Sequence, residues 1–217
     1  MPSSSNSETH EAFTAAWDAL AGRRGWGSGA RAWLAELLAH YNEPQRHYHH
    51  AGHVTDLLAR MKEVRFQDVD AAQAAAFFHD AIYKVGASDN EARSADLARK
   101  ALSELDDSGF AETVAAICAA TATHEATGNP DADLFLDIDM AVLGDPPEAY
   151  RRYRDAVMRE YTTVFQRESY LIGRISLFVE PTLERERIFL TEAFAPRETQ
   201  ARENLAAERE WLRGGAP

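Results

Sequence analysis

Cysteine is almost absent: Cys118 is the single one in 217 residues. An intrachain disulfide and a multi-cysteine metal knuckle are thereby excluded, and a reducing compartment is the simplest expectation. Long apolar runs are absent too; none approaches the roughly 18 residues needed to span a bilayer. The opening stretch MPSSSNSETHEAF has neither the basic nor the apolar region of a secretory signal. The expectation is a cytoplasmic protein with no membrane partner. Basic charge is in deficit, with 23 Lys+Arg against 35 Asp+Glu and a formal net charge of -12. Such a surface repels phosphate backbones and anionic lipids, so nonspecific nucleic-acid binding is not expected.

Sustained period-two alternation is missing, which argues against sheets. Gly22, Gly25, Gly27 and Gly29 cluster, but no Lys-Ser/Thr follows and no strand precedes them, so they read as a connector. No G-x-S-x-G elbow occurs. Apolar residues instead recur at three- and four-residue steps, the helical period. Phe13, Trp17 and Leu20 form one such stripe; Trp33, Leu34, Leu37, Leu38 and Tyr41 form the next, closed by Pro44. Val54, Leu57, Leu58 and Met61 mark a third helix, and the Ala-rich run 71–83 predicts a buried central one. Further helices are expected over about 90–105 and 110–123; a short apolar segment at about 134–143 follows, then a long helix started by Asp145-Pro146-Pro147 with Tyr150, Tyr153, Val157 and Tyr161 on one face, and two more over about 170–179 and 198–212. Residues 1–10, Ser-rich and polar, read as a disordered tail. With no repeat and no linker, residues 11–217 read as a single all-α domain.

Histidines concentrate in one stretch, Arg46-His47-Tyr48-His49-His50-Ala51-Gly52-His53. His49 and His53 are four apart, so on a helix they would share a face. Phe77-Phe78-His79-Asp80 ends a buried apolar helix with two groups that are costly to bury unless paired or ligated. Phe135-Leu136-Asp137-Ile138-Asp139-Met140 sets two carboxylates inside an apolar run, and on a helix only one of them can face a shared site. Asp137 could instead cap a helix, and Asp139 could bond a buried Arg. Such N/O groups on separate helices can converge on one divalent ion, and the donor set suits Mn, Zn, Fe, Ni, Co or Mg better than a thiolate-selective metal. Cys118, in an Ala/Ile run, reads as a small buried hydrophobe.

This order of residues resembles the HD superfamily of metal-dependent phosphohydrolases, whose signature is His…His-Asp…Asp on an all-helical domain. It is most similar to the bacterial branch described as predicted metal-dependent HD-superfamily phosphohydrolases. Arg46-x-Tyr48-His49-x-x-x-His53, Phe78-His79-Asp80 with Tyr83, and Asn90-Glu91 with Ser94-Ala95 carry it first. Thr121 with His124, Asp137-x-Asp139 with Leu143-Gly144, and Arg159-Glu160-Tyr161 follow. Gly173-Arg174 and Ala201-Arg202-x-Asn204-Leu205 complete it. Tyr48-His49-His50-x-x-His53-x-x-Asp56 also resembles a segment of cyclic-nucleotide phosphodiesterases, with His50 where that pattern has Asn.

The resemblance implies an HD-type helical bundle with His53, His79, Asp80 and Asp139 as metal ligands. Asp139 is preferred to Asp137 because the family's Asp-Leu-Ser-like element aligns with Asp139-Met140-Ala141. It implies a metal-activated water as nucleophile, His49 as proton donor to the leaving oxygen, and Asp80 as both ligand and part of the catalytic set. Arg46 is expected to clamp a phosphate or to pair with Asp56 or Glu43; Tyr48, His50, Glu91, His124 and Asp137 are expected to bind substrate or to support the site. The implied partner is a nucleotide or other small phosphate ester, and a homodimer is compatible with the pattern. Two alternatives use the same residues: an HD-fold di-iron oxygenase, and a non-catalytic regulatory protein that binds a nucleotide or metal.

Overall fold

The computed structural model describes residues 4–105 and 108–214, and among them every regular element is helical. The all-α expectation therefore holds. No helix among the described residues is long and apolar enough to cross a membrane. Residues 1–3 of the expected tail and 215–217 of the expected domain lie outside the described residues.

Helices α1 (Ser4–Arg24), α2 (Gly29–Tyr41), α3 (Ala51–Arg60) and α4 (Val69–Phe78) precede α5 (Asn90–Glu104), α6 (Ser108–Ala120) and α7 (Pro130–Met140). Helix α1 starts at Ser4, so the helix reaches into the segment expected as a tail. Ser7 Oγ donates to Glu11 Oε1 at 3.1 Å one turn on, and the His10 ring meets Asn42 Oδ1 at 2.7 Å. Composition hid that tether, because polar residues that anchor a helix look the same as polar residues that solvate a tail. After α7 come a 3₁₀ turn (Ala141–Gly144), α8 (Pro147–Tyr161), α9 (Arg167–Arg174), a π turn (Ile175–Val179), α10 (Glu180–Glu184) and α11 (Glu198–Arg213).

The chain divides into two compact units, Met1–Phe135 and Leu136–Pro217. The division falls inside α7, an apolar run without Gly, which is why no compositional break announces it.

The first unit is built round α4, whose VDAAQAAAFF run is buried from Ala74 to Phe78. Its alanines let neighbouring helices approach closely, and its phenylalanines supply the bulk. Phe77 meets Phe13 edge-on at 4.9 Å and Trp17 at 5.2 Å, the T-shaped geometry aromatic quadrupoles favour. Trp17 Nε1 donates to the Ala30 carbonyl at 2.9 Å, and Tyr41 Oη to the Phe77 carbonyl at 3.1 Å, so both buried polar tips are satisfied. Asp68 caps α4 by accepting from Ala71 N at 3.0 Å. The helix ends at Phe78, five residues earlier than periodicity predicts. The break places His79 at the C-cap and Asp80 in the turn beyond it.

The second unit is joined by side chains that hold backbone. Asn204 Nδ2 donates to the Leu143 and Asp145 carbonyls at 2.8 Å each. Arg202 bonds the Leu183 carbonyl at 2.9 Å and the Arg185 carbonyl at 2.8 Å. A Cβ at Gly144 would lie 2.6 Å from Arg197 Cβ and 2.9 Å from Arg197 O, so glycine is required by close approach there. Arg174 and Glu208 pair at 3.0 Å in the core, and Tyr150 Oη also donates to Glu208. These are the Leu143-Gly144, Gly173-Arg174 and Ala201-Arg202-x-Asn204-Leu205 segments of the resemblance, and their work in this unit is structural.

Candidate metal centre

His53 lies in the first turn of α3, and His79 and Asp80 follow α4. Their ligand atoms all lie within 4.8 Å of one another. His53 Nε2 and His79 Nε2 are 3.2 Å apart, His79 Nε2 and Asp80 Oδ2 3.0 Å, and His53 Nε2 and Asp80 Oδ2 3.7 Å. The two imidazoles are buried, and the Asp80 side chain is 13% exposed.

The His79 ring has a defined tautomer. Nδ1 stands 3.1 Å from the Ala76 carbonyl oxygen, which can only accept, so Nδ1 carries the hydrogen. In neutral imidazole the lone pair is then on Nε2. That lone pair faces a carboxylate oxygen at 3.0 Å, and two acceptors so close repel unless a cation or a proton lies between them. A backbone carbonyl on the far nitrogen is the usual support of a metal-binding histidine. Donor atoms sharing one cation at bond lengths of about 2.1 Å stand about 3.0–3.5 Å apart, and the three observed separations bracket that range. The residues fit a divalent ion.

The remaining sequence candidates separate into distinct roles. His49 precedes α3, which begins at Ala51, so His49 and His53 do not share a helix face as their spacing suggested. His50 ends the helix register instead, because its Nδ1 caps α3 by accepting from Gly52 N at 2.9 Å. A Cβ at residue 52 would fall 2.5 Å from the His50 ring, which explains the glycine. The His49 ring nevertheless stays beside the donor set, 5.9 Å from the His53 ring. It stacks on Tyr83 at 4.3 Å and 28°. Tyr48 is half-buried, its ring 4.9 Å from both His49 and His53.

Arg46 is turned inward. It pairs with Glu43 at 3.0 Å, one of the two partners expected for it, and its side chain is 0% exposed. Its other bonds go to the backbone carbonyls of His49, Asp80 and Ala81, so its donors support the site rather than face a phosphate.

Asp137 is buried and committed in the second unit. Its Oδ1 accepts from Leu190 N at 2.6 Å, and its Oδ2 from Thr191 N at 2.7 Å and Thr191 Oγ1 at 2.5 Å. Asp139, half-buried, belongs to the same unit near the end of α7. Glu91 is half-buried in the first turn of α5, where a carboxylate complements the helix dipole. His124 follows α6 with φ of 50° and donates its backbone N–H to the Ala120 carbonyl at 3.1 Å. That is a left-handed helix stop, a position glycine or asparagine usually fills.

Two residues to which the sequence assigned no role complete the surroundings. Asn90 bonds both backbone groups of Lys84 at 2.9 and 3.0 Å, and Ser94 bonds both of Ile82 at 3.1 and 3.2 Å. They pin the segment that carries Tyr83, the stacking partner of His49. A signal was present: Asn90 and Ser94 are polar residues at i, i+4 on the stripe of α5 that continues as Ala98, Ala101 and Leu102.

The charge of Asp80 reaches the core. Burial first, then the Asp80 carboxylate, pushes the Tyr41 phenol and the Cys118 thiol up. Cys118 is accordingly a buried, unreactive thiol, as its Ala/Ile surroundings predict.

No protein-family model matches this chain, and no curated protein matches it.

Proposed function

We propose that the protein is a metal-dependent phosphohydrolase acting on a nucleotide or other small phosphate ester. The observation that carries this reading is the convergence of His53 Nε2, His79 Nε2 and Asp80 Oδ2, which stand 3.0, 3.2 and 3.7 Å from one another. His53, His79 and Asp80 would hold the ion, and the resemblance adds Asp139. When bound, a divalent cation supplies acidification of water and neutralisation of phosphoryl oxygens.

The chain's own residues do the rest. The Ala76 carbonyl keeps the His79 lone pair on Nε2. Asp80 contributes the negative charge that favours a divalent over a neutral occupant. His49, protonated, donates to the oxygen of the departing alcohol, which is the transfer a general acid beside the donor set can make. Its stack on Tyr83 fixes the ring plane for that donation.

Elemental analysis tests this first, on protein purified without chelator or His-tag, beside Asp80→Ala. The expected result is about one ion per chain, lost in the variant, and release of phosphate from esters in a screen with Mn, Zn, Fe, Ni, Co and Mg. An apo protein that takes up none of these ions would end the proposal. Iron-dependent oxygen consumption in place of ester hydrolysis would transfer it to the oxygenase alternative.

A further inference from the structure

A fully buried guanidinium is rare unless its donors are matched, and Arg46 matches its own unusually. Nε donates to Glu43 Oε2 at 3.0 Å. Nη1 donates to the His49 carbonyl at 3.0 Å and to the Asp80 carbonyl at 2.7 Å. Nη2 donates to the Ala81 carbonyl at 2.8 Å. The guanidinium carbon lies 5.1 Å from the Tyr41 ring and 5.4 Å from the Tyr83 ring, between two aromatic walls. One side chain thus ties the segment ahead of α3, which carries His49, to the turn after α4, which carries Asp80. Neither segment is helical, so neither has a backbone ladder to hold it in place.

We propose that Arg46 is a positioning residue: it clasps the His49 segment to the His79-Asp80 turn and so sets the proton donor in register with the cation site. Tyr83 completes the clasp by stacking on the ring of His49. The planar fork is essential, because lysine has a single nitrogen and cannot occupy at once the three positions from which Nε, Nη1 and Nη2 reach Glu43, the His49 and Asp80 carbonyls and the Ala81 carbonyl. The proposal rests on the hydrolase reading for its chemistry; its geometry does not.

The test uses the full chain loaded with the activating metal, Arg46→Lys, and Tyr83→Leu as a second variant that leaves the buried charge in place. Two esters are compared: p-nitrophenyl phosphate, whose leaving group departs without a proton, and an alkyl phosphate, whose alkoxide needs one. The expected result is a kcat for the alkyl ester about 100-fold lower in both variants, with p-nitrophenyl phosphate reduced less than about fivefold and metal content unchanged. A merely structural role would lower both esters alike. Equal losses on the two esters, or none, would overturn the positioning role.

Amide hydrogen exchange over residues 45–50 is the companion measurement, and it requires no activity. It is expected to quicken about tenfold or more in Arg46→Lys, with α1 and α4 unchanged. Unchanged exchange refutes the clasp whatever the kinetics show. A wild-type protein that hydrolyses neither ester with any of the metals sinks the hydrolase reading, and the clasp then stands or falls on the exchange result.

Discussion

Replacing Asp137 by alanine tests the division of labour between the two aspartates of α7. The wild-type carboxylate is 1% exposed and accepts three hydrogen bonds from Leu190 and Thr191. Bonds to a charged acceptor contribute roughly 1.5–3 kcal/mol each. A simple sum overstates the loss, because the three share one acceptor and are not additive. Leu190 and Thr191 are half-buried, so water can satisfy part of what alanine abandons. The expected cost is about 3–4 kcal/mol, or roughly 6–16 °C in Tm for a chain of this size. Calorimetry, with urea unfolding as a check, measures it, and elemental analysis on the same sample should find the metal content of wild type. A variant melting within about 1 °C of wild type would show that the joint is not what Asp137 is for. A variant that keeps its stability and loses its metal would make Asp137 the ligand and remove Asp139 from that role.

Asp139→Asn should behave in the opposite sense, losing metal affinity with little change in Tm; unchanged metal content would remove Asp139 from the ligand set. Phe77→Ala should cost about 3–5 kcal/mol, since the ring is fully buried against Phe13 and Trp17, and equilibrium unfolding reports it directly. Cys118 should resist thiol reagents at neutral pH in the native protein and react once the chain is unfolded; stoichiometric labelling of the folded protein would contradict its burial. Burial pushes the Tyr150, Tyr153 and Tyr170 phenols above their usual value near 10. A raised folded pKa means that stability is fully present below about pH 10 and is lost above it, where the unfolded chain ionises first. The slope is roughly 1.4 kcal/mol per pH unit for each tyrosine. Urea midpoints that do not fall between about pH 9 and pH 11 would refute the assignment.

Much of this protein is determined by local sequence. Helical periodicity located the helices because burying one stripe of an amphipathic helix leaves a 3.6-residue trace in the chain. The trace is weakest at the ends, so α4 stops at Phe78 rather than Tyr83 and α1 starts at Ser4. The residue types of the donor set were legible too, since His79-Asp80 at the end of an apolar run is a local anomaly that burial makes expensive. The spacing of His49 and His53 misled because a capping histidine, His50, intervenes, and capping depends on which backbone N–H is left over. The inward turn of Arg46, the joint made by Asp137, and the pinning of Tyr83 by Asn90 and Ser94 could not be read from the chain. Each depends on partners between 3 and 54 residues away, reached through side chains whose directions only the packed core decides. Sequence by itself therefore determined helix, charge and the chemistry of the donors. Tertiary structure decided which of those donors meet and which ones hold backbone, because a hydrogen bond is specified by distance and direction in space, and neither has a period along the chain.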